Sequence, residues 1–97
     1  MFRHVVLFKW ADGMTDERVR AVAAELRKLP AAIGTLRGYQ VGPDAGLNPA
    51  NSDFAVVADF DDAEGYRVYR DHPAHRAVVE QYITPVVASR TAVQYEY

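Results

Sequence analysis

The 97-residue chain contains no cysteine, which removes disulfide scaffolds, thiolate nucleophiles and cysteine-ligated zinc together. The same absence fits a reducing, cytoplasmic setting. Long apolar runs are also missing, since no window approaches the ~20 apolar residues of a membrane span. The opening MFRHVVLFKW is too short for the core of a secretion signal and is interrupted by His4 and Lys9. There is no excess of one charge sign either. The net charge is −2 and no long like-charge run occurs, so neither nucleic acid nor an anionic membrane is an expected partner. Glycine is too sparse, around Gly34–Gly38 and Gly42–Gly46, for a nucleotide-binding loop. With no repeat, linker or low-complexity tract, residues 1–97 read as a single domain.

What is present is an ordinary globular composition, 49% apolar and 25% charged, with clear element signals. Phe2 to Trp10 reads as a strand. A helix is expected from Thr15, whose hydroxyl can cap it, with Asp16 and Glu17 in the first turn. Val19, Val22, Ala23, Leu26 and Leu29 form its apolar stripe, and Pro30 is expected to end it. A second strand is expected over Thr35 to Gly42, a loop over Gly42 to Asp53, and a third strand over Phe54 to Phe60. Asp61, with Glu64 three residues on, is expected to cap a helix stopping at His72–Pro73. A further helix starts at Pro73 and runs to about Thr84, and the last strand is Thr91 to Tyr97.

The order is that of an α+β, ferredoxin-like βαββαβ domain with a four-stranded antiparallel sheet and its helices on one side. A monomer of this plan should alternate apolar and polar residues along its strands. Here Val5 and Leu7 oppose Val6 and Phe8, and Ala55 and Val57 oppose Val56 and Ala58, so both faces need cover. A second copy packed sheet against sheet, a homodimer, is the expected cover.

Histidine is scarce, and its three copies fall at informative places. His4 lies on the large-residue face of the first strand. His75 shares one stripe with Val78, Val79, Tyr82 and Val86, which places it on the inner side of the last helix. His72 precedes a proline at a helix junction and is expected to be structural, and Tyr69 sits three residues before it. A zinc site on His72 and His75 is conceivable by spacing, but the proline step disfavours it, and no metal is expected.

The segments HVVLFKW, LPAAIG, FAVVADFDDAEGYRVY and above all YRDHPAH resemble the stress-responsive α/β-barrel (dimeric A/B barrel) domain family along essentially the whole chain. The resemblance implies dimerisation through the sheets. In plant polyketide cyclases of that family, a tyrosine and the second histidine of HPAH are the catalytic pair, and a first-strand histidine lines the cavity. Those positions fall on Tyr69, His75 and His4. The implied activity is a cofactor-independent, aldol-type cyclase or lyase acting on a small hydrophobic or polyketide-like molecule. Imidazole would then be the base and the tyrosine hydroxyl the donor to the developing oxyanion. A pocket between sheet and helices is expected to be lined by His4, Val6, Phe8, Val22, Leu26 and Val56. Those cyclases present bulky aromatics from the first helix where this chain has Val22, Ala23 and Leu26, so a different ligand shape is implied. Two alternatives stand beside this reading: a non-catalytic stress-response or structural binding protein, and a cofactor-independent monooxygenase of the related barrel group.

Overall fold

The computed structural model describes residues 1–97. Strand β1 (Phe2–Trp10) leads through Gly13, whose φ of +87° suits glycine, to α1 (Asp16–Leu26) and the single turn α2 (Leu29–Ala32). Then come β2 (Gly38–Pro43), β3 (Phe54–Phe60), α3 (Ala63–Asp71), α4 (Pro73–Val78), a π-helical turn (Val79–Ile83) and β4 (Val87–Glu96). The four strands form one antiparallel sheet in the order β2-β3-β1-β4. This is the ferredoxin-like βαββαβ arrangement expected from the sequence. No helix is long and apolar enough to cross a membrane.

Thr15 caps α1 as expected, its hydroxyl accepting from the Arg18 N–H at 3.2 Å. The helix stops at Leu26, earlier than the expected end at Pro30. Pro30 has no N–H for the Leu26 carbonyl, and its ring would clash there, so the break must precede the proline by a turn. Pro30 instead occupies the first turn of α2, and Leu29 still reaches the core. At α3 the cap is Asp62 rather than Asp61: its carboxylate accepts from Gly65 N–H at 2.9 Å. Asp61 is drawn off by a two-bond pair with Arg37, and Glu64 pairs with Arg67.

Two strands begin at different places than expected. Thr35 is taken out of β2 because its hydroxyl donates to the Gly65 carbonyl at 2.8 Å, tying the turn to α3. A Cβ on Gly38, where β2 does begin, would lie 3.0 Å from the Asp59 carboxylate. Glycine there leaves room for the two-bond Arg3–Asp59 pair on the neighbouring strands. β4 starts at Val87, not Thr91, because Val87, Ser89 and Arg90 pair with Trp10, Lys9 and Phe8 of β1 through a bulge. Pairing with a strong central strand overrides weak local propensity.

The core lies between the helices and one sheet face. It holds Val6, Phe8, Phe54, Val56, Ala58 and Phe60 from the strands, with Val22, Ala23, Leu26, Leu29 and Ile33 from α1 and the α2 region. The opposite face carries Val5, Leu7, Ala55 and Val57, with Val93 and Tyr95 of β4 in register beside β1. No element of the chain packs over it: Leu7 is 37% exposed, Tyr95 45% and Val93 58%. Arg3, Asp59 and Tyr97 sit towards one end of this face.

Candidate functional site

A cavity of about 240 Å³ opens between the sheet, α1, α3, α4 and the π-helical turn. β1 places His4, Val6 and Phe8 in its wall by strand parity, and β3 adds Val56. Tyr66, Tyr69 and Arg70 come from α3, Leu26 from α1, and His75 from α4. The π-helical turn contributes Val79 and Ile83, followed by Thr84, Val87 and Arg90. Of the residues expected on sequence grounds, His4, Val6, Phe8, Leu26, Val56, Tyr69 and His75 all line this one space. Val22 does not. It is 2% exposed and packs within the closed part of the core, while Leu26, one turn later on the same stripe, reaches the cavity.

The α3–α4 junction holds His75 against Tyr69. His72, between the two helices, accepts from Ala74 N–H through Nδ1 at 3.0 Å and so caps α4, while Pro73 needs no partner in its first turn. This is the structural role expected of His72. His75 then stacks on Tyr69 with ring centroids 4.2 Å apart, and its Nδ1 lies 3.1 Å from the Arg70 carbonyl. A carbonyl only accepts, so Nδ1 carries the proton, and in neutral imidazole Nε2 is left as the lone pair. Burial holds His75 below its ordinary proton affinity. The Arg70 carbonyl works against that shift, and the Arg90 and His72 charges add to it. His75 is therefore neutral at pH 7.

His4 is the complement. It is 4% exposed, and its Nδ1 accepts from the Gln94 amide at 2.9 Å, which leaves its proton on Nε2. Its ring lies 4.7 Å from that of Tyr66 and 6.5 Å from that of Tyr69. Burial first, then the Arg90 and His75 charges, bring its pKa down to about 4. The Tyr69 hydroxyl meets the Tyr39 hydroxyl at 2.9 Å. Burial pushes Tyr69 up to about 12, with the Tyr39 bond acting the other way, and burial raises Tyr39 as well. Both are neutral phenols at pH 7. Nowhere do three histidines or carboxylates gather as metal ligands would.

Sequence reasoning missed Tyr39, Gln94 and Arg90. Tyr39 was legible in principle, since in β2 it alternates with Gln40 onto the face of Val41. Gln94 and Arg90 share the β4 parity of Ala92, but Arg90 lay outside the strand as read from sequence.

The buried neutral His4 has a consequence for stability. In the unfolded chain a histidine takes up a proton near pH 6.5, whereas folded His4 refuses it until about pH 4. Its contribution is therefore complete above pH 6.5 and is lost as pH falls towards 4, by about 3 kcal/mol across that window. Denaturant unfolding at fixed protein concentration checks this. The stability difference between wild type and His4→Gln should shrink by that amount from pH 7 to pH 4. A constant difference would contradict it.

The sequence model of the stress responsive A/B barrel domain matches residues 2–97. The chain belongs to this family. A dimeric ferredoxin-like protein from Thermobifida fusca is 49% identical, with a TM-score of 0.91 over 99% of this chain and 90% of that one. The protein SCO4036 of Streptomyces coelicolor is 37% identical over 93 residues, 91% of this chain and 96% of its own length. A hydroxynitrile lyase from Passiflora edulis, at 14% identity, shares the fold with a TM-score of 0.83 over 97% of this A/B barrel chain and 90% of the lyase.

Proposed function

We propose that this A/B barrel protein is a cofactor-independent cyclase or lyase for a small carbon acid, with His75 as base and Tyr69 as hydrogen-bond donor. The observation that carries the reading is the His75–Tyr69 pair at the wall of the cavity, with His75 neutral and its Nε2 lone pair free of any protein partner. A neutral imidazole can remove a proton only from a carbon already acidified by flanking carbonyls, which defines the substrate as a β-dicarbonyl or poly-β-ketone. The cavity, at about 240 Å³, is below the ~300–1,000 Å³ typical of drug-sized ligands. It favours a short chain.

In the proposed reaction His75 Nε2 takes the α-proton, and the carbanion attacks a second carbonyl carbon of the same molecule. A carbon–carbon bond forms, and the electron pair of that carbonyl moves to its oxygen. Tyr69 donates to this alkoxide. Tyr39 is placed to donate to Tyr69, which leaves the Tyr69 proton for the substrate. The imidazolium then returns its proton to the alkoxide, so no oxidant, metal or cofactor is consumed. The Passiflora lyase supports the reading to the extent that this fold hosts an enzyme.

The proposed working form is a homodimer closed over the open sheet face. Its support is the exposed apolar surface of Leu7, Val93 and Tyr95, and the dimeric state of the Thermobifida relative.

Turnover of linear poly-β-ketone mimics, measured after chelator treatment, tests the reaction. Tyr69→Phe should bind substrate as wild type does but turn over roughly a hundredfold slower, the cost of one oxyanion donor. No turnover of any such compound by wild type leaves the non-catalytic binding reading in its place.

A further inference from the structure

The cavity wall has a charge pattern that the proton-transfer reading does not use. The chain carries 13 Asp and Glu against 11 Lys and Arg, yet none of the 14 residues around the cavity is acidic. Two arginines and two histidines are among them. Arg70 is neutralised by its neighbour Asp71 through two bonds of 2.9 and 3.0 Å. Both histidines are held neutral by burial. Arg90 remains. It lies opposite Phe8 on β1, which gives it the helix-side parity and points it to the cavity mouth rather than to the open sheet face. It enters none of the five salt bridges of the chain. Its charge is felt inside, since it opposes protonation of both His4 and His75.

We infer that Arg90 is the anion-recognising residue of the cavity and that the ligand is a β-keto acid, seated with its carboxylate on the Arg90 guanidinium. This rests on the proposed carbon-acid reading and narrows its substrate class. A planar guanidinium engages a carboxylate through two parallel hydrogen bonds, which fixes orientation as well as adding affinity. A phosphate dianion fits less well. Arg90 supplies a single uncompensated charge, and the N-terminus of α4 beside the cavity is already capped by His72. Seating the carboxylate at the mouth leaves the keto end of the molecule towards Tyr69 and His75. It also quenches the Arg90 field, so the His75 base strengthens when the correct ligand arrives. The titratable and charged groups around His75 in that state are His4, Tyr66, Tyr69, Arg70 with its partner Asp71, His72 and Arg90.

Binding of acetoacetate, its uncharged methyl ester and inorganic phosphate to the full chain distinguishes these cases. Affinity is read by NMR shifts at Tyr69 and His75. Acetoacetate should bind wild type at least about tenfold tighter than the ester, the scale of one charge-assisted contact, and the preference should shrink as salt rises. Arg90→Gln should erase the preference without unfolding the chain, and Arg90→Lys should keep part of it. The His75 titration should move to higher pH on adding acetoacetate to wild type but not to Arg90→Gln. Equal binding of acid and ester, no binding of acetoacetate at millimolar concentration, or a preference unchanged in Arg90→Gln overturns the inference. Phosphate binding tighter than acetoacetate also overturns it, in favour of a phosphorylated ligand. An acid preference that persists in His75→Ala, with no turnover in wild type, removes catalysis and leaves this recognition standing.

Discussion

Leu7→Asp should convert the proposed homodimer into a folded monomer. Leu7 lies on the central strand β1, between Ala55 of β3 and Thr91 of β4, on the face that no helix covers. In the separated chain the new carboxylate would sit in water, because this position is already 37% exposed, and folding should be little affected. In a sheet-to-sheet dimer it would be buried against apolar partners such as Val5, Val57 and Val93, while Lys9, the cation two residues along the same face, is directed to the Asn51 carbonyl. An unpaired carboxylate so placed costs several kcal/mol. A two-fold interface carries every substitution twice, so the dimer bears the cost twice. Dimer affinity should weaken by more than about 10³-fold, since each 1.4 kcal/mol is tenfold. Light scattering at micromolar protein should read about twice the 10.8 kDa chain mass for wild type and the single-chain mass for Leu7→Asp. Far-UV circular dichroism should match for the two. Val68→Asp is the control, because Val68 is 44% exposed on α3, away from the open face, and should leave the dimer intact. A wild type that remains monomeric at micromolar concentration, or a Leu7→Asp protein that stays dimeric, contradicts the sheet-face interface.

The fold was legible because its strongest signals are local and mutually consistent. β1 and β3 carry near-continuous β-branched and aromatic residues, and their ends fall where the sequence puts them. The errors fall where a long-range partner decides the outcome. Thr35 has ordinary strand propensity, and only the distant Gly65 carbonyl withdraws it from β2. Ser89 and Arg90 have little strand character, and only β1 recruits them. Asp61 and Asp62 are equivalent as candidate caps until Arg37, 24 residues away, claims Asp61. The site follows the same division. His4, Tyr69 and His75 were visible as scarce, inward-facing chemistry at readable periodicities. Their partners Gln94 and Arg90 were not, because each meets its site only through sheet register, and Tyr39, though its strand parity was readable, meets Tyr69 only through tertiary packing. The tautomer of His4 is set by Gln94, one of those hidden partners, and that of His75, on which its proposed role as base depends, by the Arg70 carbonyl.

His75→Ala should lower kcat/KM on a poly-β-ketone substrate by roughly 10²–10⁴-fold, the usual contribution of a positioned general base. Both kcat and kcat/KM should fall, because the proton transfer is made only in the transition state. The fold should survive, since the α3–α4 junction is held by the His72 cap and by Tyr69, which is 3% exposed in the core. Positioning by the cavity remains in the variant and supports a residual rate. The pH profile of wild type gives a second signature. His75 lies below its ordinary pKa, so the rate should be full at pH 7, persist somewhat below pH 6.5, and be lost as acid protonates Nε2. That acid limb should be missing from whatever activity His75→Ala retains. Removing the ring leaves a space beside Tyr69, so added imidazole should restore part of the rate in the variant and none in wild type. A merely structural histidine would show neither the lost limb nor the rescue. Equal rates in wild type and His75→Ala would remove the base from the mechanism and leave the cavity as a binding site alone.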